Sequence, residues 1–150
     1  MDALQPADFC FYLGLSKIVP KNTRDMFKNN LVVHESESPQ GKGWSPLTWQ
    51  ILEGKNQIQV TLIEVVDKVD SGMICAQDWI DFEGNELIDE LRFKQAQATM
   101  NLCKKFVDEY PSITTHARQQ IGTESFYPRR SPTDSRLDVN SSLADQFNLL

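Results

Sequence analysis

Two residues stand where acid–base chemistry is done: His34, ending the apolar run Leu31-Val32-Val33, and Asp70, in the turn Asp70-Ser71-Gly72. In open α/β sheets, reactive groups gather where strands end and loops begin. A histidine and a carboxylate on neighbouring strand ends can pair, the carboxylate orienting the imidazole and raising its basicity. Spacing alone leaves a blander reading open, in which His34 satisfies loop backbone groups and Asp70 caps a turn. Gly41-Lys42-Gly43 lacks the spacing of a phosphate loop and reads as a tight turn beside the histidine loop. Trp44 can line a ligand mouth or pack under that loop. Arg129 and Arg130 can meet phosphates or lie in a solvated linker. His116 reads as surface and Cys75 as core.

The elements that must position these groups alternate between strand and helix. Asp8 to Leu13 is a short aromatic-rich run bounded by Pro6 and Gly14, read as a buried strand. A loop from Leu15 to Val19 precedes Pro20, which can open a short helix through Phe27. Leu31 to Val33 is a second strand, and the Ser/Gly/Pro-rich stretch Glu35 to Ser45 is a loop. Ser45 as N-cap, Pro46 at the first helical position and Gly54 after the last predict a helix between them. Ile58 to Val66 is the clearest strand, nearly continuous and β-branched, and Met73 to Ile80 follows as another. A long amphipathic helix is expected from Asn85 as cap to Pro111, with Leu87, Leu91, Ala98, Leu102 and Phe106 on one stripe. Ser112 to Val139 has few large apolar residues and reads as a linker wrapping a domain surface. A last amphipathic turn starts at Ser141, aligning Leu143, Phe147 and Leu150. The expectation is an α/β fold with a largely parallel sheet.

The run from Asn29 to Gln77 resembles the folate-dependent formyltransferase family, which includes methionyl-tRNA, glycinamide ribonucleotide and sugar-nucleotide N-formyltransferases. His34, Ser36, Pro39, Gly43, Pro46, Trp49, Val60, Thr61, Asp70, Ser71 and Gly72 fall in the order of that family's motifs. Leu15 to Pro20 is similar to the family's loop ahead of the histidine strand. Phe126-Tyr127-Pro128-Arg129-Arg130, then Asp138, resemble the hinge toward its C-terminal domain. The wording Gly-Lys-Gly-Trp-Ser-Pro is most similar to the sugar-nucleotide branch.

The resemblance implies a partial Rossmann-like catalytic domain over residues 1–111, then a linker and the start of a C-terminal region over 112–150. It implies 10-formyltetrahydrofolate as formyl donor and an amine acceptor, an amino sugar nucleotide in the first reading and methionyl-tRNA in the second. His34 would stabilise the oxyanion or move a proton, and Asp70 would position the histidine or a water. The pterin would lie against backbone of Leu15, Ser16, Lys17 and Ile18 and of Asp67 and Val69. Two departures stand out. The family asparagine two residues before the histidine falls at Val32, which donates no hydrogen bond; Asn30 and Ser36 are the nearby polar groups. The opening β-α units of the family do not precede Asp8, and the last turn stops at Leu150 with its apolar face unspent. Together these point to a fragment or a misplaced start, with an exposed strand edge that a partner would cover. A non-catalytic remnant binding folate or a partner is therefore a third reading.

Composition narrows the classes. With 15 basic and 21 acidic residues the net charge is −6, which argues mildly against nucleic acid as a ligand. Small-molecule substrates are the expected partners, and a homo-oligomer is compatible. No apolar run of about 18 residues predicts a membrane span. Cys10, Cys75 and Cys103 are widely spaced and read as buried thiols, with no metal site; a cytoplasmic setting is expected.

Overall fold

Strand alternation sorts this chain into an apolar sheet face and a mixed one, where polar groups sit beside Val32 and the buried Ile63. The computed structural model describes residues 7–15 and 17–150. Strand β1 (Ala7–Tyr12) is followed by a one-turn helix α1 (Lys21–Arg24), strand β2 (Phe27–His34) and a two-residue strand β3 (Lys42–Gly43). Helix α2 (Pro46–Leu52), strands β4 (Gln57–Glu64) and β5 (Ile74–Asp81) and the long helix α3 (Ile88–Glu109) come next. A short helix α4 (Ser112–Thr115) and strand β6 (Phe126–Tyr127) follow, and 3-10 turns form at Pro132–Ser135 and Ala144–Leu149.

The main sheet has the order β1-β2-β4-β5, and β3 pairs with β6 in a second, two-stranded sheet. Side chains alternate across a strand, so the register sets the faces. Leu31, Val33, Leu62, Val60 and Ala76 share one face and join α3 residues Ala98, Leu102 and Phe106 in the core. Phe106 is fully buried and meets Phe9 and Phe11 edge-on. The opposite face carries Asn30, Val32, His34, Thr61 and Gln77, because His34 sits opposite Thr61 and Thr61 opposite Gln77.

The α/β class holds, but the parallel pairing is narrower than the sequence led us to expect. Only β1 and β2 run parallel in the main sheet; β2–β4 and β4–β5 are antiparallel. The segment between β4 and β5 is too short for the crossover of a dozen or more residues that parallel strands need, so the chain turns back on itself. Local expectations also change: the helix opened by Pro20 stops at Arg24, so that Phe27 begins β2, and β4 ends at Glu64, short of Val66. Ser45 precedes α2 but makes no side-chain cap; its backbone is left-handed, with φ 47°. The long helix begins at Ile88, not beside Asn85, because Glu90 closes the turn by accepting from the Leu87 amide at 2.9 Å. Leu87, expected on the buried stripe, is consequently half exposed. No helix among the described residues is long and apolar enough to cross a membrane.

Candidate active site

β2 delivers His34 to the polar face because the strand runs unbroken through Leu31 and Val33, whose side chains are claimed by the core. The loop that follows is pinned from both sides. Thr61 Oγ1 donates to the Ser36 carbonyl at 2.7 Å, and the buried Gln50 of α2 donates to the Glu35 carbonyl at 2.7 Å. The imidazole is itself buried and its Nε2 lies 2.8 Å from the Gly41 carbonyl. A carbonyl only accepts, so Nε2 carries the hydrogen and donates it.

Asp70 comes from the connection between β4 and β5, with φ 49° at its own backbone. Its Oδ2 accepts from the Gly43 amide at 3.0 Å and lies 3.8 Å from His34 Nε2. The structure thus brings the two sequence-predicted groups together without a direct hydrogen bond between them. Gly41 and Gly43 stand between, one receiving from the histidine and the other donating to the aspartate. Both glycines have positive φ, 65° and 98°, and a Cβ on Gly43 would come within 2.6 Å of the Tyr127 carbonyl. The tight turn read from the sequence is therefore also a close approach between two backbones. Gly72 ends the Asp70 turn where a Cβ would run into the Glu64 carbonyl, 1.9 Å away.

The residues expected to meet a flat ligand belong to two loops, one of which runs directly into Asp70. Leu15, Lys17 and Ile18 link β1 to α1, and Asp67 and Val69 belong to the β4–β5 connection. Ser16 lies outside the described residues. Asp67 is ion-paired with Arg24 of α1, which ties that helix to the β4–β5 connection, and the guanidinium holds the Asp67 carboxyl below its usual range. Leu15, Ile18 and Val69 expose large apolar side chains to solvent. The Val69 carbonyl accepts from Ser71 Oγ at 2.9 Å, and exposed apolar surface of this kind suits a planar heterocycle. The concavities beside Phe147 and beside Met26 contain neither His34 nor Asp70.

The other sequence candidates resolve differently. The Trp44 ring packs under the Arg129 guanidinium, 5.0 Å from it, and Arg130 lies over Trp49, which also stacks on Tyr127. His116 is exposed at the end of α4, bonded to the Ser112 carbonyl. Cys75 was expected in the core but is only half-buried against it; burial and Glu64 push its thiol up to about 12. Asn30 is committed elsewhere: its amide donates to the Arg24 and Phe27 carbonyls and its oxygen accepts from Tyr12.

Sequence reasoning missed the groups behind Gly41 and Gly43. Lys42 is almost fully buried, its Nζ 2.8 Å from Ser71 Oγ and 2.7 Å from Glu124 Oε1. Gln120 donates to the carbonyls of Asp70 and Gly72. Nothing local to a lysine between two glycines announces a partner more than 80 residues away.

The chain matches the formyl transferase family over residues 2–107, and it belongs to that family. It is 28% identical over 126 residues to the methionyl-tRNA formyltransferase of Finegoldia magna, covering 83% of this chain and 40% of that relative. A solved methionyl-tRNA formyltransferase from Clostridium thermocellum superposes with a TM-score of 0.76 at 22% identity, covering 95% of this chain and 60% of that one. WlaRD, described as a sugar 3N-formyl transferase crystallised with dTDP and 5-N-formyl-THF, superposes with a TM-score of 0.69 at 20% identity, over 93% of this chain and 51% of that one. The chain therefore spans less than two thirds of the length of each.

Proposed function

We propose that this site transfers a formyl group from 10-formyltetrahydrofolate to the primary amine of an amino sugar nucleotide. The observation that carries the reading is the approach of His34 and Asp70 to 3.8 Å across the glycine turn, within the family segment. The donor supplies an activated formyl carbon; the amine nitrogen bonds to it, the bond from that carbon to N10 breaks, and the amine's proton ends on N10. With its Nε2 hydrogen committed to the Gly41 carbonyl, His34 has Nδ1 to take a proton from the amine and, once protonated, to donate to the charge that develops on the formyl oxygen. Asp70, fixed by the Gly43 amide, keeps a carboxylate beside the imidazole as that charge changes. Leu15, Lys17, Ile18, Asp67 and Val69, with Ser16, would hold the pterin, and the exposed apolar side chains of these loops fit such a ligand.

The sugar acceptor is favoured by the Gly-Lys-Gly-Trp-Ser-Pro wording, the acidic net charge and the likeness to WlaRD. Methionyl-tRNA is the second reading, favoured by the F. magna relative. The test offers the chain 10-formyltetrahydrofolate with either a UDP- or dTDP-linked amino sugar or charged initiator tRNA, and follows release of tetrahydrofolate. Transfer to the sugar, lost in His34→Ala, supports the first reading. Transfer to the tRNA alone replaces it with the second, and no transfer to either overturns both.

A further inference from the structure

The segment from Arg118 to Tyr127 crosses the site as a strap and lies beyond residue 107, where the family match ends. Arg118 exchanges both backbone hydrogen bonds with Ile74, anchoring the strap at β5. Gln120 then grips the Asp70 turn at two carbonyls, 3.0 and 2.8 Å away. Ser125 accepts from the Lys42 amide through its carbonyl and from the Gly41 amide through Oγ, both at 2.9 Å. Tyr127 accepts from the Trp44 amide.

Between Gly41, which receives from His34, and Gly43, which donates to Asp70, the Lys42 side chain runs inward. An ammonium taken out of water is costly unless its donors are matched. Here they meet Ser71, the residue after Asp70, and Glu124 of the strap. Lys68 reaches the same carboxylate from outside at 2.8 Å. One buried charge therefore touches the catalytic turn on one side and the strap on the other. Its partners decide where the two glycine backbones sit.

Resting on the formyl-transfer reading of the site, we propose that Glu124, acting through Lys42, and Gln120 are positioning residues for the His34–Asp70 pair. Their work is to hold the Gly41 carbonyl and the Asp70 turn where the imidazole and carboxylate face each other. A displacement of about 1 Å at such a pair is enough to lower turnover by around 10²-fold.

The test uses Glu124→Gln, which removes the charge and keeps the size, and Gln120→Ala, which removes the amide without touching Lys42. His34 is followed by long-range ¹H–¹⁵N NMR of its ring, with His116→Gln distinguishing the two histidines. The expected result is a moved Nε2–H signal in both variants, restored in Glu124→Asp. A kcat lowered about tenfold or more, with the KM for the folate donor nearly unchanged, is expected alongside. Unmoved ring signals in both variants, with only the melting temperature lowered, would overturn the proposal and leave the strap a structural prop. The ring signal needs no substrate, so a chain inactive toward every acceptor would sink the formyl-transfer reading while still deciding the positioning question. Should Glu124→Gln fail to fold by circular dichroism, Gln120→Ala alone decides it.

Discussion

The two faces of the β2–β4 pair are held by different forces. On one face Leu31, Val33, Val60 and Leu62 meet α3 through close packing and the removal of apolar surface from water, a force without direction. On the other face His34, Thr61 and Gln77 are held by hydrogen bonds of defined length to loop backbone, to each other and, through Gly41, to the strap. Burial fixes which side of a strand a residue occupies but tolerates shifts of a fraction of an ångström. A hydrogen-bonded network tolerates fewer, because each bond weakens steeply with angle and distance. Stability and the proposed chemistry are therefore separable by face.

The largest effect is expected at His34 itself. His34→Ala should lower the single-turnover formyl-transfer rate by about 10²–10⁴, well beyond the loss of about 1–3 kcal/mol in stability expected from the unpaired Gly41 carbonyl. Phe106→Ala is the counterpart on the apolar face. It should cost about 3–5 kcal/mol of stability in denaturant titration, with kcat of the folded fraction within about twofold of the parent. A comparable fall in kcat would show that the faces are coupled through the strands.

Val32→Asn sharpens the comparison on the polar face alone, since Asn30, Val32 and His34 point the same way. An amide there is expected to raise kcat toward the roughly 10²–10³ that one oxyanion donor contributes. An unchanged kcat would mean that another polar group already fills that place.

The smallest and most gradual effect is acid sensitivity. Glu124 on the strap is held down to about 2 by hydrogen bonds from Lys42 and Lys68. Glu86, at the start of α3, is raised by burial but brought down to about 2 by Lys94 and by the amides of Glu83 and Gly84. A carboxyl depressed from 4.5 stabilises the fold fully above that pH, and the contribution fades as the pH falls toward 2. Glu124→Gln should flatten the acid dependence of amide-exchange protection at Gly41 and Lys42, and Glu86→Gln that at the start of α3. Each variant flattening both would unite regions that the structure keeps apart.

Much of the frame could be read in advance because it rests on local rules. The 3.6-residue stripe of Ala98, Leu102 and Phe106 became the helix face its pattern implies, and both apolar runs became strands, though the aromatic one is a partly exposed edge strand and the β-branched one stops at Glu64, short of Val66. The exceptions have identifiable causes. Antiparallel pairing follows from the length of a connection, and Ser45 leaves α2 uncapped because its backbone is left-handed. Of the site, His34 and Asp70 were legible from strand-end and turn placement, and the ordered motifs around them pointed to the family. Lys42 was read only as part of a tight turn, since charged residues are almost never fully buried without a partner and its partner Glu124 lies far along the chain.

Sequence alone therefore determined the alternation that puts His34 and the core leucines on opposite faces, the glycines that allow a close turn, and the family. Tertiary structure decided that histidine and aspartate meet through two glycine backbones and not directly. It also decided that a buried lysine and a distant strap stand behind them. The division has a physical basis: periodicity and backbone freedom act within a few residues, whereas a buried charge is settled only by whatever the fold brings to it.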